Sequence, residues 1–270
     1  MNERPDDASH GVRTALVTGV AGFIGFHTAR ALLAQGDRVV GIDNLNPYYA
    51  VDLKRARLQA LRGVPGNRFE FLPLDFSDAE ILEGGLARTR FDSIVHLGAQ
   101  PGVRFSIENP EAYARANLVG HLNMLEVARR RGVGHVVYAS SSSIYGANQS
   151  LPFRVEDRAD HPVSLYAATK RADELMSEAH AHLYAIPMTG LRLFTVYGPW
   201  GRPDMAVWMF TKAILEGEPI EVFNDGRMRR DFTYIDGIVR GVIACLDAPA
   251  AALLIVCTIS ATVALKSWDT

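Results

Sequence analysis

A tyrosine and a lysine at helical spacing are the side chains best suited to chemistry in this sequence. Tyr166 and Lys170 begin and end the segment Y-A-A-T-K, so a helix places the phenol and the ammonium on one face, about one turn apart. A nearby cation stabilises a phenolate and lowers the pKa of tyrosine toward working pH. The pair therefore predicts a tyrosine that exchanges protons with a substrate.

A run of four serines lies upstream, at residues 140–143, where a strand is predicted to end. Ser141 can donate a hydrogen bond to an alcohol oxygen that becomes a carbonyl. Ser140 and Ser142 can instead form the turn, and the sequence does not separate these roles. Combined with Tyr166 and Lys170, the serines favour a redox site over two unrelated surface residues.

A glycine-rich turn follows the first apolar segment, in T-A-L-V-T-G-V-A-G-F-I-G. Gly19, Gly22 and Gly25 allow a tight turn, a close approach of N–H groups to a pyrophosphate, and packing of the helix on the strand. The anion then rests on the positive end of that helix. Asp43 ends the next strand, where a carboxylate accepts hydrogen bonds from the adenosine ribose. Because its charge repels a 2′-phosphate, NAD is favoured over NADP.

Strands and helices alternate along most of the chain. We expect strands at 15–18, 38–43, 69–75, 94–98, 136–139 and 188–194, and helices from Phe23, from an Asp78 N-cap, and at 52–62, 111–131 and 164–183. This alternation predicts an α/β fold with a doubly wound parallel (Rossmann) sheet and a ligand at the carboxyl edge. The helix at 111–131 is expected to bury Leu118, Leu122, Leu125 and Val127. Turn formers and aromatics from Tyr197 onward predict a smaller second lobe, with a helix at 207–215 and a strand at 220–223.

Composition excludes several classes of protein. The 270 residues are 48% hydrophobic with a net charge of −2, which indicates an ordinary globular chain and predicts neither nucleic acid nor a membrane as a partner. Cys245 and Cys257 are too few for a disulfide framework or a zinc site, so we expect no metal and a reducing, cytoplasmic location. Residues 1–13 have no apolar stretch and are interpreted as a polar tail.

These motifs resemble the extended short-chain dehydrogenase/reductases of the NAD-dependent epimerase/dehydratase family, and most of all the UDP-glucuronate 4-epimerases. The similarity spans residues 14 to about 247 and rests on the glycine turn, on Y-A-A-T-K, and on the segments G-I-D-N-L-N-P-Y-Y, H-L-G-A-Q-P-G-V-R-F-S, A-S-S-S-S-I-Y-G, R-L-F-T-V-Y-G-P-W-G-R-P-D-M-A and R-R-D-F-T-Y-I-D. The segment around Gly198 is the most specific to this subgroup.

The resemblance implies an isomerase that recycles NAD within each turnover and acts as a homodimer formed by the helices at 111–131 and 164–183. Tyr166 takes the proton of the sugar C4 hydroxyl while hydride passes to NAD, Lys170 tunes the tyrosine and holds the nicotinamide ribose, and Ser141 polarises the oxygen. The implied cofactor-binding residues are Gly19, Ala21, Gly22, Phe23, Ile24, Gly25, Asp43, Asn44, Asp75, Phe76, Leu97, Gly98, Ala99, Gln100, Asn117, Ser140, Tyr166 and Lys170.

A UDP-glucuronate substrate must not lose CO₂ when it becomes a β-keto acid, so its carboxylate has to be held firmly. Arginine offers a planar fork for a carboxylate. Thr195 and Arg202 match the family's carboxylate-holding positions, Arg104 is a second candidate, and Arg230 matches a contact to the UDP pyrophosphate or ribose. The full set of implied substrate contacts is Arg104, Ser141, Ser142, Ser143, Thr195, Arg202 and Arg230.

Other reactions of the class fit less well. Dehydratases need an Asp-Glu pair, and decarboxylases usually carry a glutamate, where this chain has Ser142 and Ser143. A UDP-glucose/galactose-type 4-epimerase remains open, although it has no use for Arg202. A truncated NAD-binding protein with impaired catalysis is the alternative from a different class.

The similarity ends near residue 250, and residues 250–265 are apolar and uncharged. This run is shorter than the roughly 20 residues of a membrane span, and a buried strand or helix is doubtful there. We expect a frameshifted, truncated gene, since reading one base earlier permits P-H-R-L-Y-N-I-G-N-S-R-P-E, which resembles the family's continuation.

The expected division of the chain is a tail at 1–13, an NAD-binding domain at 14–190, a partial nucleotide-sugar lobe at 191–249 and a non-family tail at 250–270. We expect weak or no epimerase activity from this chain. Sequencing the DNA tests the frameshift.

Overall fold

A seven-stranded parallel sheet forms the centre of the protein, whose computed structural model describes residues 12–66, 68–226, 231–249 and 254–259. The described strands are β1 Thr14–Thr18, β2 Arg38–Ile42, β3 Phe69–Leu72, β4 Ser93–His96, β5 His135–Ser141, β6 Met188–Leu193, β7 Thr195–Tyr197, β8 Phe232–Tyr234 and β9 Leu254–Ile259. The central sheet has the order β3-β2-β1-β4-β5-β6-β9, and all its pairs are parallel. The predicted doubly wound sheet is confirmed.

Helices cover both faces of this sheet. They are α1 Phe23–Ala34, α2 Val51–Arg62, α3 Ala79–Leu86, α4 Phe105–Glu108, α5 Pro110–Tyr113, α6 Gly120–Arg131, α7 Leu165–Tyr184, α8 Ala206–Glu216 and α9 Ile235–Asp247, with a π-helical turn at Ala114–Val119 and 3₁₀ turns at Ser142–Tyr145 and Phe223–Gly226. Side chains alternate across the strands, so Val17 joins the core under α1, α2 and α9, while Leu16 joins the core under α3, α6 and α7. Asp78 is the predicted N-cap of α3, and its side chain accepts from Ile81 N–H.

The smaller lobe consists of the parallel pair β7–β8 together with α8. Thr195 pairs in register with Phe232, and Tyr197 with Tyr234. None of the residues of α8 is buried. In the described ranges, no helix is long and apolar enough to cross a membrane.

Two local predictions were wrong. Residues 220–223 form no strand, since irregular backbone leads there into the 3₁₀ turn. Leu122 is 40% exposed, although Leu125 and Val127 are buried as expected. The buried face of α6 includes His121. Because histidine is polar, a search for apolar periodicity does not assign this position to the buried face.

β9 corrects the expectation that the apolar segment at 250–265 lacks a strand. Leu254–Ile259 pairs with β6 from Met188↔Leu254 to Leu193↔Ile259 and forms one edge of the sheet. The segment L-I-V-C-T-I is rich in β-branched residues, which favour strands. Residues 1–11, 250–253 and 260–270 of the two predicted tails lie outside the described residues.

Candidate active site

The glycines of the glycine turn (residues 19–22) and Gly25 in α1 lie where a side chain has no room. Gly19 has φ +64°, and a Cβ on it would lie 2.8 Å from Gly98 Cα. A Cβ on Gly22 would lie 2.9 Å from the Gly19 carbonyl oxygen, and one on Gly25 would collide with the same oxygen. α1 starts at Phe23 without a side-chain cap or an acid in its first turn. Its first N–H groups are therefore available to an anion, and this cradle fits a diphosphate.

Asp43 connects the end of β2 to the glycine turn. Its carboxylate is 7% exposed and accepts hydrogen bonds from Ala21 N–H (3.2 Å) and Leu45 N–H (2.8 Å). Lys54 Nζ lies 4.0 Å away. Burial raises the pKa of Asp43, and the Lys54 ammonium and the two hydrogen bonds oppose that shift. An acid thus lies beside the phosphate cradle, where the ribose of a dinucleotide would be.

Asp75 and Asn44 form a second polar pair at this end of the cleft. Asn44 Nδ2 donates to Asp75 at 3.1 Å, and Ser77 donates to Asp75 through both its N–H and its hydroxyl. Burial raises the pKa of Asp75, but the Ser77 and Asn44 hydrogen bonds and Arg115 outweigh it and hold that pKa below its usual value. Asp75 is thereby fixed as a carboxylate.

The carboxyl ends of β1 and β4 are joined through Thr18. Its Oγ1 accepts a hydrogen bond from Gly98 N–H (2.9 Å) and lies 2.8 Å from His96 Nδ1. Burial, with a smaller contribution from Lys170, lowers the pKa of His96 to about 3, so the imidazole is neutral. Sequence reasoning missed both residues, because their contact joins strands that are distant in the chain.

The lysine of Y-A-A-T-K is buried at the start of α7. Lys170 Nζ donates to Ala139 O and to Asp173 Oδ2, each at 3.0 Å. Burial acts to lower the pKa of Lys170, but Asp173 and Tyr166 outweigh it and raise that pKa. Lys170 is therefore an ammonium ion. Tyr166 lines the cleft and contacts Tyr113 edge-on, with ring centroids 6.1 Å apart.

The two serines that end β5 differ in their hydrogen bonds. Ser140 Oγ donates to Glu174 Oε1 at 2.7 Å in the buried ion pair of Glu174 with Arg192. Ser141 Oγ accepts from Ser143 N–H at 3.2 Å, which leaves its hydroxyl hydrogen for a ligand in the cleft. The geometry therefore favours Ser141 as the donor, a choice that the sequence left open.

Arg202 lies at the other end of the cleft and is held by an acid that the sequence analysis missed. Its Nε donates to Asp204 Oδ1 at 3.0 Å, and its Nη2 donates to the other carboxylate oxygen. Tyr48 also donates to Asp204, at 3.0 Å. Burial acts to lower the pKa of Arg202, but Asp204 outweighs it and raises that pKa. The G-R-P-D spacing is the signal that would have revealed Asp204.

One cleft of about 1440 Å³ brings most of the predicted residues together. The predicted residues that line it are Gly19, Gly22, Phe23, Ile24, Gly25, Asp43, Asn44, Asp75, Phe76, Leu97, Gly98, Ala99, Gln100, Ser140, Ser141, Ser142, Ser143, Tyr166, Lys170, Thr195 and Arg202. Tyr48, Lys54 and Asp231 also line it and were not predicted.

Three of the predicted residues that the structure describes lie outside the cleft lining. The first is Ala21, whose N–H donates to Asp43. The second is Asn117 in the π-helical turn, whose side-chain amide accepts from Gln100 N–H and donates to Gln100 C=O. The same amide donates to Thr169 Oγ1, and these contacts join the loop after β4 to α7. Arg104 is exposed and is not part of the cleft lining. Arg230 lies outside the described residues.

Comparison with known proteins gives consistent matches. A model of the NAD dependent epimerase/dehydratase family matches residues 15–254. The chain is 50% identical to a probable UDP-glucuronate 4-epimerase of Rhizobium meliloti over 234 residues, which are 87% of this chain and 68% of that protein. It is 48% identical to UDP-glucuronate 4-epimerase 4 of Arabidopsis thaliana over 238 residues, 87% of this chain and 54% of the plant protein.

A crystal structure of UDP-glucuronic acid 4-epimerase from Bacillus cereus, in complex with UDP-glucuronic acid and NAD, has the same fold. Its TM-score is 0.83 at 34% identity, covering 93% of this chain and 78% of that one. The range that the family model matches, residues 15–254, includes the glycine turn, Asp43, Tyr166 and Lys170. The chain therefore belongs to the NAD dependent epimerase/dehydratase family.

Proposed function

We propose that this chain is an NAD-dependent isomerase that interconverts UDP-glucuronate and UDP-galacturonate by epimerisation at C4. The observation that carries the proposal is the position of Arg202, a charged fork in the same cleft as Tyr166 and Thr195. A neutral sugar offers no partner for such a fork, whereas a C5 carboxylate does. The relatives named as UDP-glucuronate 4-epimerases support the same substrate.

In the proposed reaction, Tyr166 removes the proton of the C4 hydroxyl and later returns it. The Lys170 ammonium stabilises the phenolate, and Ser141 donates a hydrogen bond to the C4 oxygen. Bound NAD supplies a nicotinamide ring that accepts a hydride and gives it back. The 4-keto sugar has to present its opposite face before it is reduced, so the cleft must leave room for the ring to turn, and its volume of about 1440 Å³ is compatible with that.

The cofactor is proposed to extend from the glycine turn to Lys170. The first N–H groups of α1 would hold the pyrophosphate, and Asp43 would accept from the adenosine ribose. Asp75 and Phe76 would flank the adenine. The residues Leu97, Gly98, Ala99 and Gln100 would line the nicotinamide half, with Asn117 supporting Gln100 from behind.

The carboxylate is proposed to bind between Thr195 and Arg202. Because Asp204 occupies Arg202 Nε and Nη2, the sugar carboxylate would use the remaining N–H groups of the guanidinium. Holding the carboxylate there keeps its C–C bond away from alignment with the C4 carbonyl and so suppresses loss of CO₂. Ser142, Ser143, Arg104 and Arg230 stay predictions as further substrate contacts.

We also propose that residues 14–190 bind NAD, that 191–249 form the nucleotide-sugar lobe, and that the enzyme is a cytoplasmic homodimer. Support for the dimer comes from exposed apolar side chains on α6 and α7. Leu122 is 40% exposed, Leu175 51% and Leu183 67%. Two copies that paired these helices would remove the side chains from water.

Turnover of two sugars by wild type and Arg202→Ala tests the function. Wild type should form more UDP-galacturonate from UDP-glucuronate than UDP-galactose from UDP-glucose, as resolved by chromatography. Arg202→Ala should lower kcat/KM for UDP-glucuronate about 100-fold or more, because a buried charge-assisted contact is lost, and should increase decarboxylated product. A preference for UDP-glucose in the wild type would favour the neutral-sugar epimerase. Turnover of neither sugar would indicate an NAD-binding protein without this activity.

A further inference from the structure

A buried arginine with no role in the proposed reaction lies between the cofactor turn and the substrate lobe. Arg57, on α2, is 0% exposed and is among the largest fully buried side chains. Its Nη1 donates to Ala21 O at 2.9 Å and to the Tyr49 hydroxyl at 2.7 Å. Its Nη2 donates to Trp200 O at 2.6 Å and to Gly201 O at 3.4 Å. One guanidinium thus binds the carbonyl groups of both segments.

All four acceptors of Arg57 are uncharged, and its Nε has no hydrogen-bond partner in the described structure. Burying a cation whose hydrogen-bond acceptors are all neutral is costly, and an apolar side chain of similar volume would fill the space at lower cost. An apolar side chain could not reproduce the forked guanidinium of arginine, which binds two backbone segments and fixes the distance between them.

On the cofactor side, both backbone polar groups of Ala21 are hydrogen-bonded. Ala21 N–H donates to Asp43, and Ala21 C=O accepts from Arg57. The glycine turn is therefore connected through Arg57 to α2, and through Asp43 to the proposed ribose site. A displacement of this turn by a cofactor would be transmitted to the guanidinium.

The segment on the substrate side is the 199–201 loop, which directly precedes Arg202. Trp200 has φ +61°, a conformation that bulky residues rarely adopt, so the surrounding contacts must maintain it. Pro199 O lies 2.9 Å from His27 Nε2, and the Trp200 ring lies 5.3 Å from that of Phe26. With the two Arg57 contacts, this loop is attached to both α1 and α2.

We propose that Arg57 is a positioning residue that sets the distance between the cofactor turn and Arg202, and so makes NAD binding and recognition of the acidic sugar dependent on each other. The identity of the substrate in this inference rests on the proposed function. The connection that Arg57 makes between the glycine turn and the 199–201 loop does not depend on it. Arg57 touches neither substrate nor cofactor in this scheme and acts through the backbone that it holds.

The test uses Arg57→Met, which keeps most of the stem but loses the fork, and Arg57→Lys, which keeps the charge without the two-sided contact. Arg55→Met is the matched control, because Arg55 lies on the same helix with a side chain that is 69% exposed. In both Arg57 variants, KM for UDP-glucuronate should rise about tenfold, while that for UDP-glucose changes less than about threefold. An equal loss with both sugars would show a merely structural role and overturn the proposal.

Hydrogen exchange provides a readout that does not need turnover. Adding NAD to the wild type should slow amide exchange in the peptide that contains residues 199–205 as well as in the glycine turn. In Arg57→Met and Arg57→Lys, NAD should still protect the glycine turn but not residues 199–205, and Arg55→Met should behave as wild type. Protection of both segments in the Arg57 variants would refute the connection. If wild type converts neither sugar, the proposed function fails, and this measurement still decides the role of Arg57.

Discussion

Ser140 and Ser141 are adjacent, yet their hydroxyl groups have different tasks in the structure. Ser140 donates to Glu174, which is also held by Arg171 and Arg192. Ser141 accepts from the Ser143 N–H and lines the cleft, so its proton can go to a substrate oxygen. One hydroxyl therefore stabilises the ion cluster behind β5, and the other is free to act in the reaction.

Alanine substitutions separate these tasks. Ser141→Ala should lower kcat about 10- to 100-fold, because a donor to the reacting oxygen is lost, with little change in stability. Ser140→Ala is its comparison variant and should lower the free energy of unfolding by about 1–3 kcal/mol, because the buried Glu174 loses a donor, with a smaller loss of kcat than in Ser141→Ala. Denaturant titration and initial rates measure the two effects. A larger loss of kcat in Ser140→Ala would reverse the assignment.

Residues within short motifs could be predicted from the sequence, and residues that act through distant contacts could not. The prediction for Gly19, Gly22 and Gly25 comes from their spacing together with the strand before them, the helix after them and the acid that ends the next strand. Arg57 meets its partner Trp200 across 143 positions, and Tyr48 meets Asp204 across 156. No local pattern encodes such a pair, because its two members lie in segments that are far apart in the sequence.

Two neutral histidines lie between β4 and α6. The rings of His96 and His121 are 5.2 Å apart, and both are almost fully buried. His96 bonds Thr18, and His121 Nε2 lies 2.8 Å from Ser177 Oγ. Burial lowers the pKa of His96 to about 3 and that of His121 well below its usual value. The contact between this strand and this helix therefore depends on uncharged imidazoles.

Acid should loosen this contact. In the unfolded chain a histidine has a pKa of about 6.5, above the folded value, so below pH 6.5 the unfolded state binds more protons. Stability is then fully present above pH 6.5 and falls as the pH drops below it, for His96 down to about pH 3, by up to about 1.4 kcal/mol per pH unit for each histidine. Urea unfolding at pH 7.5 and 5.5 measures this slope. It should shrink in His121→Gln but not in His161→Gln, whose side chain is 81% exposed; equal slopes in both would contradict the prediction.

The first six strands of the central sheet, β1 to β6, could be predicted because each is a short apolar run between turn residues, as expected where helices cover both faces, whereas β9 was missed. β7 and β8 have three residues each, too few to produce a pattern. The π-helical turn at Ala114–Val119 interrupts a helix that the sequence predicts as continuous, and it places Asn117 where it bonds Gln100. Such a turn has no compositional signature.

On the surface of the whole molecule, the apolar helix α8 is exposed to water. α8 has no buried residue, and Trp208 is 41% exposed, Ile214 67% and Leu215 81%. Contiguous apolar surface of this kind favours association. The chain also spans only 68% of its Rhizobium relative.

Replacing Ile214 and Leu215 together by glutamine should reduce aggregation of the 270-residue chain, because less apolar surface remains to associate. Light scattering and sedimentation velocity should show fewer large species, while the dimer proposed through α6 and α7 persists. Leu151→Gln is the control, since Leu151 is 70% exposed and lies in a loop that is not part of α8. Aggregation that both proteins share equally with wild type would exclude α8 as its source.

The place of β9 in the sheet has a consequence for synthesis on the ribosome. β6 can pair with β5 once Met188–Leu193 has been made, but Leu254–Ile259, the partner of its other side, is made later. During that interval β6 is a sheet edge with free N–H and C=O groups, which another chain can pair with. α7 and α9, which contact β6, are both made before β9. The two faces of the sheet beside β6 can therefore be covered before β9 pairs with its free edge.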